Sequence, residues 1–526
     1  ISISGMYYLP KRNYLMVVAK ESNSLYVCNI NSKKVIKKID LESQCYDVRI
    51  NHKKDFAYAS LWGDSAIAEI DLSNFQIVNK IRTGDHPTEI IITKNDKRLF
   101  VANANNNSVS VINLTTKEQD ENLISSLKPD APYGSTPNSI CLNGDESVLF
   151  IANANNNCLS LFNVSKSEHS KSIGFIPTGW YPTVVRYLSE DKILVANGKG
   201  LTSLPNPKFK NFKDQYIGSL FKGTVSIINY PDDEKLKEYS QQVYKNTPYF
   251  SAKNNWAGLQ NVIPSEHNGK RSEKIRHVFY VIKENRTFDQ VYGDLAKGNC
   301  DSSLCLFGRD ITPNQHRLAE EFIIYDNFYV DAEVSADGHN WSDAAYATDF
   351  VEKNWPTRPS SGYIWNAALS KGWIVRDYGE FVSKPDEDKE YYVAEDERMA
   401  NSVCNEYPGW NLSISDLTRF KVWENDFEKY EKNGNLPDLN IIYLPNDHTR
   451  GTEKDALTPK AYVAQNDYAL GLIVDKISHS KYWKESIIFV LEDDAQNGPD
   501  HVDAHRSGVL VISHRVDIRS KTYDTI

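Results

Sequence analysis

Long apolar runs are missing from this 526-residue chain. No stretch approaches the roughly 20 residues that cross a bilayer as a helix, so no transmembrane segment is expected. An excess of positive charge is missing too. Sixty Lys and Arg stand against 70 Asp and Glu, a formal net charge of −10. Nucleic acid as a general partner needs a basic footprint and is disfavoured, which leaves room only for a local basic pocket. Cysteine is scarce, seven in all and odd in number, which is no disulfide framework. No CxxC pair occurs, so a thiolate zinc site is not expected. Cys300, Cys305 and Cys404 leave room for one bridge. What remains is ordinary globular composition, 40% hydrophobic and 25% charged, and a length that suggests about three domains or two large ones. The opening ISISGMYYLP reads as strand. It has no basic n-region and no small-residue cleavage site, so the chain is expected to be a mature form or a fragment.

The first half repeats itself. RLFVANANNNSVSVINL begins at Arg98, and VLFIANANNNCLSLFNV begins at Val148. FAYASLWGDSAIAEIDL from Phe56 and SNSLYVCNI from Ser22 are earlier copies, and KILVANGKG with GTVSIINY is a split later one. Between copies, Gly84 to Thr88, Gly134 to Asn138 and Gly179 to Thr183 share the pattern GxxP[TN]. Short strands separated by Asn/Gly/Asp turns, in units of roughly 40–45 residues, describe propeller blades. About five blades are expected up to residue 230, the first starting mid-pattern, with further blades upstream. The repeats resemble the YVTN family of bacterial β-propellers over residues 13–230. That resemblance implies fold well and function poorly. The NANNN tips read as turn chemistry, and the sharper reading is a propeller face that binds a ligand or covers a neighbouring active site. The expected organisation is a propeller over 1–245, a linker over 246–274 and an α/β domain over 275–526.

The second half carries the chemistry. HVFYVIKENRTFD opens with an apolar run from His277 to Ile282, suited to a strand buried on both faces, and Glu284, Asn285 and Arg286 follow at once. Ile441 to Leu444 is a second such strand and leads into Asp447 and His448. Ile487 to Leu491 is a third and leads into Glu492, Asp493 and Asp494, then Asp500, His501, Asp503 and His505. Ligands of open α/β sheets bind beyond the carboxyl ends of strands. Adjacent buried carboxylates repel and are costly, and a divalent cation removes both problems. Glu284, Asn285, Asp493 and Asp494 suit a hard cation such as Ca, Mg or Mn, while His448 and His501 suit a nitrogen-bearing site for Zn or Fe. Ser335, in SADGH before a helix expected from about Trp341, is a nucleophile candidate at a helix N-terminus. Ser342 reads as an ordinary helix residue.

At this point residues 275–526 resemble the bacterial phosphoesterase family of phospholipases C and acid phosphatases, within the alkaline phosphatase-like superfamily. ENRTFD matches the family's opening, and DDAQNGPDHV matches its DExxGxxDHV segment without a gap. The resemblance implies Glu284, Asn285, Ser335, Asp493 and Asp494 as metal ligands, Ser335 as nucleophile, and His448 and His501 as catalytic residues. It implies Asp447, His448, His501, His505 and Arg286 as second-metal or substrate residues. The implied reaction is attack of Ser335 on phosphorus, a phosphoseryl enzyme and its hydrolysis, with a divalent ion (Ca, Mn, Mg or Zn) as cofactor and a phosphate ester as substrate. Two alternatives stay open: a phospholipase C-type diesterase, and an inactive scaffold that binds through its propeller. ADGHN after Ser335 departs from the DPNR of many phospholipases, so lipid specificity does not transfer. The family would continue with a helix after VLVIS, so a truncated C-terminus is expected. Family context implies a periplasmic, secreted or cell-surface location. Arg286 is read as a phosphate contact or a carboxylate partner, His339 as catalytic or a turn residue, and the aromatics of YGEFV and GWNLS as core.

Overall fold

The computed structural model describes residues 2–131, 133–188, 191–211, 213–247, 272–348, 351, 362–496 and 498–514. Most of the expected linker, 246–274, lies outside the described residues, as do residues 515–526. The chain forms two compact units. The first comprises Ile1–Thr202, Phe221–Asn254 and Thr348–Trp355, and the second Ser203–Leu220, Asn255–Ala347 and Pro356–Ile526. Residues 203–220 lie inside the range expected for the propeller yet pack with the second unit.

Among the described residues, the first unit holds five antiparallel sheets. Four have four strands each, running in sequence from Ile3–Leu9 to Lys34–Asp40, Val48–Ile50 to Gln76–Arg82, Pro87–Ile92 to Glu118–Ile124 and Pro137–Leu142 to Lys171–Pro177. A three-stranded sheet follows, Trp180–Leu188, Lys192–Gly200 and Thr224–Asn229. The first strands of successive sheets touch one another, which makes the region propeller-like. The first sheet, expected to start mid-pattern, has four strands like the next three. Burial follows the sequence: Arg98–Asn103 is nearly all inside, whereas the charged outer strand Lys34–Asp40 is mostly exposed. The Asn tips are turn chemistry. Asn107 and Asn157 adopt φ of 52° and 51°, the left-handed region Asn tolerates. Their side-chain oxygens accept from the N–H groups of Gly134, Ser135 and Tyr181. The helix Asp233–Lys245, capped by Asp232, buries Leu236 and Val243 and packs on Lys171–Pro177.

The second unit is α/β. Its sheet contains, in chain order, β1 (His277–Lys283), β2 (Ile323–Tyr329), β3 (Val375–Tyr378), β4 (Leu439–Tyr443), β5 (Ser486–Glu492) and β6 (Arg506–Ile512). Spatial order is β2-β6-β5-β1-β4-β3. The four strands β3, β4, β1 and β5 are parallel; β6 pairs antiparallel to β5, and the edge strand β2 pairs antiparallel to β6, so β6 alone runs opposite to the others. Phe279, Val281, Ile442, Ile488 and Val490 bury against Phe420, Trp423 and Phe427 of the helix Asp416–Asn433 and Leu470, Ile473 and Ile477 of the helix Pro459–Ser478. Ile282, Leu439 and Ile441 bury on Trp365 and Tyr363. Strands covered on two faces explain the unbroken apolar runs. β1 and β5 are adjacent and in register from His277–Ser486 to Lys283–Glu492, so the residues after each strand emerge side by side.

All seven cysteines are free thiols, so the bridge considered among Cys300, Cys305 and Cys404 is not formed. Burial pushes the Cys305 and Cys404 thiols up to about 12, which leaves them unreactive. No helix among the described residues is long and apolar enough to cross a membrane.

Candidate metal centre

The site is built where β1 and β5 end. Beyond Lys283 the chain turns through Asn285 at φ 59°, a strained conformation for which Asn is among the favoured residues. Two carboxylates fix that turn: Asp447 Oδ1 accepts from the Glu284 N–H at 3.1 Å, and Asp493 Oδ1 accepts from the Asn285 N–H at 3.0 Å. Beneath it, buried Lys283 pairs with Asp447 at 2.9 Å and Glu492 at 2.6 Å.

Ser335 enters from a third direction. It opens the helix Ser335–Ala344, which starts six residues earlier than the sequence suggested. The helix comes close because residue 338 is glycine. A Cβ there would lie 2.5 Å from the Asp493 carbonyl oxygen, so any larger residue would push Ser335 away. Ser335 Oγ lies 3.1 Å from Asn285 Oδ1 and 3.4 Å from Glu284 Oε2. Glu284, Asn285, Asp493 and Asp494 are all at most 2% exposed.

The donor set fits a cation. Asn285 Oδ1 faces only acceptors; with the amide turned over, its nitrogen meets Glu284 Oε2 at 2.6 Å and Ser335 Oγ at 3.1 Å. Asp493 Oδ2 and Asp494 Oδ2 are buried without a well-formed hydrogen bond. Oxygens that converge on one another are what a hard divalent ion needs. In the protein alone these carboxyl groups hold their protons more tightly than ordinary ones. Burial raises Asp493, and the neighbouring Glu284 charge adds to it. Burial also raises Asp494, with Asp493 adding and the Gln496 N–H and Ser335 opposing. Glu284 is raised by burial against the pull of His339 and Tyr443.

Two further side chains hold Glu284, and a third backs one of them. His339 Nε2 lies 3.0 Å from Glu284 Oε1 and 3.6 Å from Asp493 Oδ2, and its Nδ1 lies 2.8 Å from Glu380 Oε1. The Tyr443 hydroxyl donates to Glu284 Oε1. Burial alone would lower His339; Glu380 and Glu284 outweigh it and hold the imidazole well above its ordinary value. On the other side, Asn285 Nδ2 donates to Gln496 Oε1 at 3.1 Å, and Gln496 Nε2 donates to the Tyr216 hydroxyl at 2.8 Å. Tyr216 belongs to the 203–220 segment, which is also held by Asn206 to Gly498 O and Asp500 N.

The remaining expected residues have other partners. His501 Nδ1 meets Asp289 Oδ2 at 2.6 Å and its Nε2 meets Asn299 Oδ1 at 3.1 Å. Asp289, Asp500 and His501 are close enough to hold an ion, but the buried Arg506 guanidinium already pairs with Asp500 and Asp289, each at 2.9 Å. His505 bridges Asp503 at 2.9 Å and Glu333 at 3.2 Å. These two hydrogen bonds raise its pKa despite burial. Arg286 donates to the Asp447 and His448 carbonyl oxygens and lies over Phe307. His448 Nδ1 meets Thr449 O at 2.8 Å, its ring meets Trp410 edge-on, and burial lowers its pKa. Arg286 and His448 line a cavity of about 880 Å³ together with Phe307, Trp410 and Arg450. The structure therefore brings together Glu284, Asn285, Ser335, Asp493 and Asp494, sets Asp447 beneath them, and gives His448, His501 and His505 separate surroundings.

No protein-family model matches the chain, and no curated protein does. Among solved structures, a chain of Kuenenia stuttgartiensis hydrazine synthase is similar at 15% identity and a TM-score of 0.29, covering 44% of this chain and 84% of its own length. A likeness at that level carries no argument about the site, so the reading of this chain rests on its own residues.

Proposed function

We propose that the second unit is a metal-dependent phosphoesterase of the alkaline phosphatase-like type, with Ser335 as nucleophile. The observation that carries this reading is the meeting of one serine hydroxyl with Glu284, Asn285 and the Asp493–Asp494 pair beyond the ends of parallel strands. A divalent cation held by these five residues would supply Lewis acidity and lower the pKa of the hydroxyl.

The protein's own groups then do the following. Ser335, in the first turn of its helix, holds its oxygen beside the N–H end, where an anionic phosphoryl group is favoured. Its deprotonated oxygen forms the new bond to phosphorus, the P–O bond to the alcohol breaks, and water later cleaves the phosphoserine. His339 and Tyr443 fix Glu284, and Gln496 fixes Asn285.

The test is hydrolysis of p-nitrophenyl phosphate and of its bis ester by wild type and Ser335→Ala, with metal content measured on both. Loss of turnover by about 10³-fold or more in the variant is the expected result. Undiminished turnover in Ser335→Ala removes the nucleophile assignment. A metal-loaded wild type that cleaves neither ester, nor a choline phosphodiester, removes the phosphoesterase reading.

A further inference from the structure

Beside the Ser335 centre lies a second group of donors. His339 and Asp343 stand four residues apart on the helix Ser335–Ala344, so they share one face. Glu380 follows β3, and its N–H is held by Asp377 Oδ1 at 3.0 Å. One ligand atom from each of His339, Asp343 and Glu380 lies within 4.8 Å of the other two. That spacing fits donors around a single ion, each about 2.0–2.2 Å from the metal.

Asp343 is the independent observation. It is 1% exposed, and neither of its carboxylate oxygens meets a hydrogen-bond donor; its side chain faces the Glu380 carboxylate. Glu380 Oε2 is buried and unpaired as well. A buried carboxylate without partners is costly. The neighbouring His339 is the ion-pair partner of Glu284, Glu380 and Asp493 at once, so a single imidazolium cannot balance the group.

We propose that His339 Nδ1, Glu380 and Asp343 hold a second divalent first-row cation such as Zn²⁺, next to the Ser335 centre and joined to it through the His339 ring. Nδ1 then ligates, and Nε2–H donates to Glu284. A metal-bound histidine ordinarily gives its other N–H to a carboxylate; here that carboxylate is itself a ligand of the neighbouring centre. One nitrogen and two carboxylates suit zinc or another first-row ion better than Ca²⁺. The inference rests on donor geometry and stands whether or not the phosphoesterase reading holds.

Zn²⁺ binding is measured on the chelator-treated full chain by calorimetry and by metal analysis after dialysis. Two equivalents per chain are expected for wild type. One is expected for Asp343→Asn and for Glu380→Gln, and one, at the second site, for Asp494→Asn. Wild type with two equivalents and Asp494→Asn with two would move the first centre elsewhere and leave this proposal standing. Asp343→Asn that keeps both equivalents overturns it. So does a wild type with one equivalent that Asp343→Asn retains, the outcome if Asp343 and Glu380 merely share a proton. Should a variant fail to fold, anomalous diffraction at the zinc edge from wild-type crystals decides. A peak about 2.0–2.2 Å from His339 Nδ1 supports the site, and no peak there overturns it.

Discussion

In the first unit, Glu89 is buried and fully answered. Arg186 and Arg49 reach its Oε1 at 2.7 and 3.2 Å, and Ser139 and the Ile140 N–H bind its Oε2. Asp47 pairs with Arg49 at 2.6 Å and Glu69 pairs with Lys117. In the second unit, Glu284, Asp343, Asp377, Glu380, Asp493 and Asp494 are buried to a similar degree, and among the described residues His339 alone forms ion pairs with any of them. Buried acid is therefore not in itself a sign of function. In one unit it ties neighbouring sheets together, and in the other it forms groups that could hold an ion.

That contrast can be broken at several points. The largest effect is expected from Asp494→Asn, which should lose the metal at the Ser335 centre and about 10³-fold or more of ester hydrolysis. Metal analysis beside the p-nitrophenyl phosphate assay checks it, and unchanged metal with unchanged rate would erase the distinction between the units. Gly338→Ala is next. The added methyl must displace the helix from Asp493, and a misplacement of about 1 Å costs on the order of 10²-fold. Turnover should fall while circular dichroism stays native. Glu89→Gln should do the opposite: metal and rate unchanged, and unfolding in urea easier by about 1–3 kcal/mol, at the lower end because both arginines are partly in water. The smallest effect is a pH trend in chelated protein. Asp493 is pushed up from an ordinary 3.8 to about 8, so between those values the folded state binds more protons than the unfolded one. Stability therefore falls as pH rises through that window. Thermal midpoints from pH 4 to 8 should decline without metal, and the decline should disappear when divalent ion is added. A rise in the chelated protein would contradict the crowding of carboxylates.

Much of this arrangement was legible in the sequence, for reasons that can be named. Glu284, Asn285, Asp493 and Asp494 follow unbroken apolar runs, and adjacent parallel strands in register must release such residues side by side. Five repeats gave five sheets, because Asn at a left-handed position is a local requirement that a sequence displays. Other residues were hidden. Glu380 sits inside YGEFV, where Tyr378 and Phe381 pack in the core as expected and mask the carboxylate between them, whereas Trp410 of GWNLS, also expected as core, is 54% exposed. Asp343 and Tyr443 belong to no motif, although the His339–Asp343 spacing was a usable signal. His501 and His505 lie apart from the Ser335 group, with partners of their own. They are close in sequence to Asp493 and Asp494, but Arg506, an ordinary strand residue in the sequence, pairs with Asp289 and Asp500 beside His501.

Residues 203–220 set a constraint on the order of assembly. Their partners lie far downstream: Asn206 holds Gly498, Tyr216 meets Gln496, and Ser203 bonds Asp503 across separations of 280 to 300 residues. Domains ordinarily fold in turn as the chain is made, but here an early stretch of polypeptide lacks these partners until Gln496, Gly498 and Asp503 have been synthesised. Pairings so distant form slowly. A fragment cloned from residue 275 onward would lack Tyr216 and Asn206, and with them the outer support of the Asn285 turn. The second unit of this protein is thus not a piece that can be cut out with one pair of scissors; it begins inside the other unit's text.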